Sequence, residues 1–525
     1  MASAQCGRRA GLNAVGVNTI GDILAASARQ YADRTAIVGY HQGLTFRAVD
    51  RLANKFANGL GALGLAPGAR VGVLVSNRWE YAIAYFGIAK AGMVSVHIPA
   101  RYEQGEVEQA FASVPLDAII IDDAMRNRIG WASPFLADAR IIIAAGRTDG
   151  EMRMMTAMLE MSSDHPPDIA IDPNSVSAIL FTSGTTGRPK ASLQTHRGRV
   201  LSSEIALWDL SLQADDVIAV ALPLSHSAGL YTWFQTGVLA GASTVLLSEW
   251  DPGVFVAAVS TLHVTGVFAS PAQLAALIKH PEFDAQRLSS LRLIVYGGAP
   301  ANPVMIAAVE RALPHVRLVQ TYGQTEVGPL FSQRPADRRV NPAAIGRPNG
   351  RVDVDLFVRP GRRAAVGEIG EIATRGKHVS PGYFGDDDGT RRVYRGGDDW
   401  AWTGDLAVAD EQGQLTLIGR THDTIFAGGA SVYPGELEQI VQRHPNVADC
   451  AAFGMADPTW GELPAIAVVP KPRTRVSPRE IEALFTGAEI GQFNRPRAVF
   501  IVESLPYTPD GKLLRSELKK RFPSN

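Results

Sequence analysis

Cysteine is almost missing. The 525-residue chain has two, Cys6 and Cys450, far apart in sequence and outside any metal-ligand spacing. That excludes a disulfide-stapled scaffold and a cysteine-bound zinc module, and it points to a reducing cytoplasm. Net charge is equally scarce. With 51 basic and 52 acidic side chains the formal charge is −1, so no basic excess marks nucleic acid or an anionic membrane as the main partner. No apolar run approaches the roughly 20 residues of a membrane span, and the N-terminus lacks the apolar core of a secretory signal. The expectation is a cytoplasmic protein, monomer or homodimer, that handles small molecules. An apolar fraction of 46% with 20% charged residues is that of a folded chain. The length implies about three or four domain-sized pieces.

Glycine, by contrast, is plentiful, and it gathers with hydroxyls in Ile179-Leu-Phe-Thr-Ser-Gly-Thr-Thr-Gly-Arg-Pro-Lys190. The apolar run 177–181 reads as a buried strand that empties into Thr182, Ser183, Gly184, Thr185, Thr186 and Gly187 before Arg188, Pro189 and Lys190. Glycines let backbone N–H groups converge on phosphate oxygens, small hydroxyls add donors, and Arg188 and Lys190 add positive charge. The Walker A spacing is absent. A polar surface turn is the ordinary reading of such a cluster; ten specified positions favour an anion cradle.

Around this loop, strands and helices alternate. The spacing of Phe46, Val49, Leu52, Phe56 and Leu60 predicts a helix capped by Thr45, and Val71-Gly-Val-Leu-Val75 predicts a buried strand. The alternation continues through 141–144, pauses in a polar bridge over 148–173, and resumes after the loop: helices over 196–210, 232–240 and 252–262, strands over 217–222, 243–247, 266–270 and 291–296. Such alternation makes the sheets largely parallel and covered on both faces. Near residue 350 the texture shifts to antiparallel hairpins, with Asp386-Asp-Asp388 read as solvated loop charge. A compact tail of its own apolar pattern begins at 421. The predicted fold is α/β: an N-terminal domain, 1–420, of two stacked parallel-sheet layers plus a β-rich subdomain, then a small mobile α+β domain, 421–525.

Polar signatures recur at strand ends, where open α/β sheets bind ligands. Thr321-Tyr-Gly-Gln-Thr-Glu326 sets a ring, hydroxyls and a carboxylate suited to Mg²⁺ beyond one strand. Asp405 in Trp402-Thr-Gly-Asp405 can accept two ribose hydroxyls, and Arg420 can donate to the same sugar. Pro506-Tyr-Thr-Pro-Asp-Gly-Lys512 puts one lysine in a turn. Singly, each has an ordinary reading: surface charge, turn cap, solvated lysine.

In this order these motifs resemble the adenylate-forming superfamily of acyl-CoA synthetases, firefly luciferase and peptide-synthetase adenylation domains, from about residue 20 to 520. The resemblance implies activation of a carboxylic acid by ATP, giving acyl-adenylate and pyrophosphate. It implies that Thr182, Ser183, Gly184, Thr185, Thr186, Gly187 and Lys190 lie around the β- and γ-phosphates, Thr325 at the α-phosphate and Glu326 on Mg²⁺. Gly298 and Tyr322 are then expected at adenine, Asp405 and Arg420 at ribose, and Lys512 between the attacking carboxylate and the α-phosphate. The C-terminal domain rotates between half-reactions in this family; the hinge position, usually Asp or Lys, is His422 here. His226, Tyr231, Trp233, Gly297 and Gly298 are expected beside the acyl pocket.

For the acceptor, the resemblance implies the thiol of coenzyme A, with Gly428 and Gly429 along its tunnel and Trp460, Phe493 and Arg495 at its nucleotide. Asn494 stands where a lysine is common, which removes one cation. The rival within the fold is an amide ligase like coronafacate ligase, which passes the acyl group to an amine. A catalytically silent binder is a third reading, opposed by intact Lys512, Glu326 and Asp405; a free carrier protein is a further possible acceptor. Glycines near the expected pocket favour a ring or medium-length acid over acetate.

Overall fold

The computed structural model describes residues 16–39, 43–129, 134–146, 152–182, 189–299, 301–427, 430–486, 494–507 and 513–523. They fall into two compact units, one within Met1–Val340, Pro348–Asp353 and Thr374–Ala401, the other within Asn341–Arg347, Val354–Ala373 and Trp402–Asn525.

The first unit is built on two sheets. A seven-stranded sheet runs Arg153–Met154, Arg140–Ala145, Ala118–Asp122, Arg70–Leu74, Val94–His97, Val176–Thr182, Lys190–Thr195. All its neighbouring strands are parallel except the last pair. The second sheet has nine strands, with Gly328–Gln333, Arg317–Gln324, Leu293–Gly297, Gly266–Ala269, Val217–Val220 and Ser243–Leu246 in its centre, parallel from Arg317–Gln324 onward. Alternate residues of one strand serve two cores, as a period of two requires. Ile120 joins Val71, Leu180, Ile218, Val220 and Val295 in the core that both sheets share, while Ile119 and Ile121 face an outer core with Val107 and Phe111. Ala219, Val245, Val267 and Ile294 pack an outer core on the far side of the nine-stranded sheet. The result is five alternating layers of helix and sheet.

Helices of the middle layer must be apolar on all sides. Trp79–Lys90 is buried at every position from Glu80 to Lys90. Its one buried ammonium is satisfied: Lys90 donates to Asp50 Oδ1 and Asn54 Oδ1, both at 2.6 Å. Helix Phe46–Ala62 starts where its sequence predicts, Thr45 Oγ1 accepting from the Ala48 N–H at 3.2 Å.

Three local expectations are corrected. The polar bridge contains a short strand, Arg153–Met154, and a helix, Met155–Met161, too short to show periodicity yet anchored by buried Met155, Met158 and Leu159. Asp386 caps a helix, Asp387–Val393, accepting from the Gly389 N–H at 2.7 Å, so the acidic triplet sits at a helix N-terminus where negative charge is favoured. The helix expected over 232–240 begins earlier, as a π-helix Ala228–Gln235 continuing into Thr236–Ala240.

The second unit holds most of a five-stranded sheet, ordered Arg362–Arg363, Asp353–Arg359, Ile369–Arg375, Ala401–Ala409, Leu415–Arg420. It also contains a sheet centred on the long hairpin Val447–Asp457 and Gly461–Pro470. Ile466 and Val468 face a core with helices Pro434–Val441 and Pro478–Leu484; Ala465 and Ala467 face another with helix Arg515–Arg521. Among the described residues no helix is long and apolar enough to cross a membrane.

Candidate active site

In the first unit the glycine-rich loop joins two neighbouring antiparallel strands. Thr182 ends Val176–Thr182, Lys190 begins Lys190–Thr195, and the two are register partners. Ser183, Gly184, Thr185, Thr186, Gly187 and Arg188 lie outside the described residues. A hydroxyl and an ammonium therefore stand side by side at the strand ends that flank the loop.

Glu326 reaches the same place from the other sheet. It lies in the turn between Arg317–Gln324 and Gly328–Gln333, which closes tightly because Gly323 has no side chain: a Cβ there would stand 2.1 Å from the Gly328 carbonyl. Its Oε1 accepts from Thr182 Oγ1 at 3.4 Å and from the Tyr383 hydroxyl at 2.8 Å, and its backbone carbonyl accepts from the Ser380 N–H at 2.6 Å. Tyr383 was not singled out from sequence. Lys190 Nζ lies 5.0 Å from the centroid of its ring. Burial, then the Glu326 carboxylate, push the Tyr383 phenol far up, so it remains a donor.

Thr325 and the His226 segment meet through hydroxyls: Ser227 Oγ and Thr325 Oγ1 are 3.1 Å apart. His226 Nδ1 accepts from the Ala228 N–H at 3.2 Å, which assigns the neutral ring's proton to Nε2. The π-helix follows directly; such bulges concentrate at functional sites. Tyr231 and Trp233 lie on this helix in the shared apolar core, each 1% exposed. The Trp233 indole N–H donates to the Ala219 carbonyl at 2.8 Å. Tyr231 carries the buried Arg199 guanidinium 5.1 Å from its ring centroid, and Arg199 donates to the His378 carbonyl at 2.6 Å.

Gly297 ends strand Leu293–Gly297 and Gly298 follows it, beside Thr321 and Tyr322 on the adjacent parallel strand. A Cβ on Gly297 would lie 2.2 Å from the Thr321 carbonyl. Gly298 has φ +80°, and among the described residues nothing lies within 4 Å of an added Cβ. The Tyr322 ring packs against Phe331, centroids 5.7 Å apart.

In the second unit Asp405 and Arg420 are register partners on neighbouring strands, joined by an ion pair at 3.0 Å. Asp405 is buried and Arg420 half-exposed. Glu371, also missed from sequence, holds the turn beside them: it accepts from the Gly404 N–H at 2.9 Å and from Thr421 Oγ1 at 3.2 Å. His422 Nε2 lies 3.6 Å from Asp423 Oδ1; burial lowers its pKa and Asp423 opposes that.

Lys512, Gly428, Gly429 and Phe493 lie outside the described residues. The residues flanking Lys512 are firmly tied. Tyr507 and Leu513 form a β-bridge, the Leu514 N–H donates to the Pro506 carbonyl at 2.9 Å, and Arg515 pairs with Asp423 at 3.2 Å and Glu438 at 2.6 Å. Trp460 follows strand Val447–Asp457, half-exposed, and lines a cavity of about 230 Å³ with Ala427, Leu463 and Arg497. Among the described residues, the buried Nε of Arg495 has no hydrogen-bond partner.

Among the described residues no cluster of three or more His, Cys, Asp or Glu side chains could hold a metal. A single carboxylate such as Glu326 suits Mg²⁺, which keeps waters and takes phosphate oxygens instead of a full protein cage.

Comparison with known proteins gives consistent results. The profile of the AMP-binding enzyme family matches residues 24–384, and that of the AMP-binding enzyme C-terminal domain matches residues 436–512. A feruloyl-CoA synthase of Amycolatopsis sp is 32% identical over 500 residues, covering 94% of this chain and 97% of the relative. Among solved structures, the anthranilate CoA ligase AuaEII in complex with anthranoyl-AMP superposes with a TM-score of 0.85 at 25% identity, covering 96% of this chain and 98% of that one. The amide bond synthetase McbA from Marinactinospora thermotolerans does so with a TM-score of 0.84 at 26% identity, covering 96% and 100%.

Proposed function

Since the chain belongs to the AMP-binding enzyme family, we propose that it couples a carboxylic acid to ATP, releasing pyrophosphate, and then passes the acyl group from AMP to the thiol of coenzyme A. A carboxylate oxygen attacks the α-phosphorus, the bond to the β-phosphate bridging oxygen breaks, and pyrophosphate leaves with the electron pair. Two anions must meet, so the site has to neutralise charge as the bond forms. The observation that carries the reading is the convergence of Thr182, Lys190 and Glu326 at the ends of the loop strands.

Each residue then has a task. Thr182 and Lys190, with Ser183, Thr185 and Thr186 between them, hold the β- and γ-phosphates. Glu326 holds Mg²⁺, which neutralises phosphate charge when bound. Thr325 donates to the α-phosphate, and Gly298 and Tyr322 border adenine. Asp405 accepts from the ribose hydroxyls, and Arg420, paired with it, donates to the same sugar. Lys512 bridges the acid and the α-phosphate. His226 orients the acid carboxylate, with Tyr231 and Trp233 as the packed wall behind it. Rotation about His422 exchanges Lys512 for the segment bearing Gly428 and Gly429.

Coenzyme A as acceptor is supported by the cavity beside Trp460, where an indole and the Arg497 guanidinium offer stacking and phosphate contacts, and by Arg495 nearby in sequence. The likeness to an amide bond synthetase supports an amine as the second acceptor. The likeness to a feruloyl-CoA synthase and to an anthranilate CoA ligase supports an aromatic acid. The test supplies ATP, Mg²⁺ and a panel of carboxylic acids, then coenzyme A or amines, and reads products by mass. Acid-dependent pyrophosphate release with thioester formation supports the main reading; amide alone shifts it to the rival. AMP formed without any acid would sink both. Lys512→Ala is expected to cut acyl-adenylate formation by at least about a hundredfold while thioester formation from supplied acyl-adenylate persists.

A further inference from the structure

Tyr383 makes contacts that no motif required of it. Its hydroxyl donates to Glu326 Oε1 at 2.8 Å and its ring takes Lys190 Nζ at 5.0 Å from the centroid. The phenol therefore meets a cation with its face and a carboxylate with its edge.

The backbone fixes this arrangement. Tyr383 bridges Ser192 on the edge of the strand that begins with Lys190. Either side of it, the Leu193 N–H donates to the Gly382 carbonyl at 2.9 Å and the Phe384 N–H to the Ala191 carbonyl at 2.8 Å. The Tyr383 N–H is held by Thr390 Oγ1 at 3.0 Å. Upstream, the Ser380 N–H holds the Glu326 carbonyl, Tyr394 donates to the Ser380 carbonyl, and buried Arg199 holds the His378 carbonyl. Segment 378–394 is thus a clamp built on the strand of one lysine and the turn of one glutamate.

A lysine and a glutamate that flank one phenol, in a partly buried setting, attract each other. If they paired, neither would be presented to a ligand: the ammonium would be lost to phosphate and the carboxylate to a cation. We propose that Tyr383 is a positioning residue that keeps Lys190 and Glu326 apart and aimed, the ring engaging the ammonium and the hydroxyl orienting the carboxylate toward Mg²⁺. This rests on the nucleotide reading of the same site and adds to it a residue that sets how strongly Mg²⁺ tightens nucleotide binding.

The test measures ATP dissociation constants by calorimetry, with Mg²⁺ and with excess chelator. In the parent protein Mg²⁺ is expected to tighten ATP binding. Tyr383→Phe keeps the ring and loses the hydroxyl; its affinity without Mg²⁺ should stay within about twofold, while the tightening by Mg²⁺ falls by about tenfold. Tyr383→Leu loses both contacts and should weaken ATP binding in either condition. Glu326→Gln supplies the discriminating background. If the hydroxyl acts through the carboxylate, Tyr383→Phe has no further effect there, whereas a merely structural hydroxyl would cost the same in both backgrounds. An unchanged Mg²⁺ response in Tyr383→Phe, or additive losses with Glu326→Gln, overturns the proposal and leaves the nucleotide reading standing. No ATP binding by the parent protein overturns both.

Discussion

His97 is a fully buried imidazole of the first unit, 0% exposed, with Tyr81 Oη 2.6 Å from Nδ1 and Ser95 Oγ 2.9 Å from Nε2. Burial lowers its pKa to about 3, and burial likewise lowers His196 and His378 to about 4. Released into the unfolded chain these rings return toward 6.5, so between pH 6.5 and about 4 the unfolded state binds more protons. Stability is therefore full above pH 6.5 and falls as pH drops through that window. His97→Gln removes one titrating ring, and the slope of unfolding free energy against pH should flatten by about 1.4 kcal/mol per pH unit near pH 5. Urea titrations of both proteins between pH 7 and 4.5 measure it; parallel slopes would refute the assignment. At this scale the motif residues were legible because they cluster in sequence, as Thr182 and Lys190 do. Tyr383 and Glu371 were not, since their partners lie 57 and 33 residues away and nothing local marks them.

Strand Leu293–Gly297 shows what the elements demand of their ends. Gly297 pairs with Thr321 at the point where the two backbones come closest. Gly297→Ala drives a methyl into a backbone carbonyl that cannot rotate away, and should cost about 1–3 kcal/mol in chemical denaturation. Gly298→Ala meets no atom of the described residues and should cost only the strain of a positive φ, about 1 kcal/mol. A reversed order of the two would disprove this account of the strand end. The sequence marked both glycines as pocket residues without separating them, because the difference lies in what the neighbouring strand places opposite each. The π-helix was hidden for a related reason: Ala228–Gln235 is apolar on nearly every side and buried, so no periodicity distinguishes 3.6 from wider winding.

The whole molecule carries several apolar cores divided between two compact units. Compact units with cores of their own commonly unfold as separate cooperative units. Differential scanning calorimetry should therefore resolve two transitions. One transition whose calorimetric and van't Hoff enthalpies agree would count against that division.

Alternation of buried strands and amphipathic helices determined the α/β class, because period and turn chemistry are local properties that each segment carries alone. The ordered series of loop motifs likewise determined the family, and with it the expected places of ATP and acid. Tertiary structure alone decided that Ile120 faces the shared core while Ile119 and Ile121 face an outer one, giving five layers. It also decided that Lys190 and Glu326, 136 residues apart by their numbers, flank one phenol contributed by a third segment. Contacts between remote segments depend on how sheets stack and where loops return, and no pattern within a single segment encodes them.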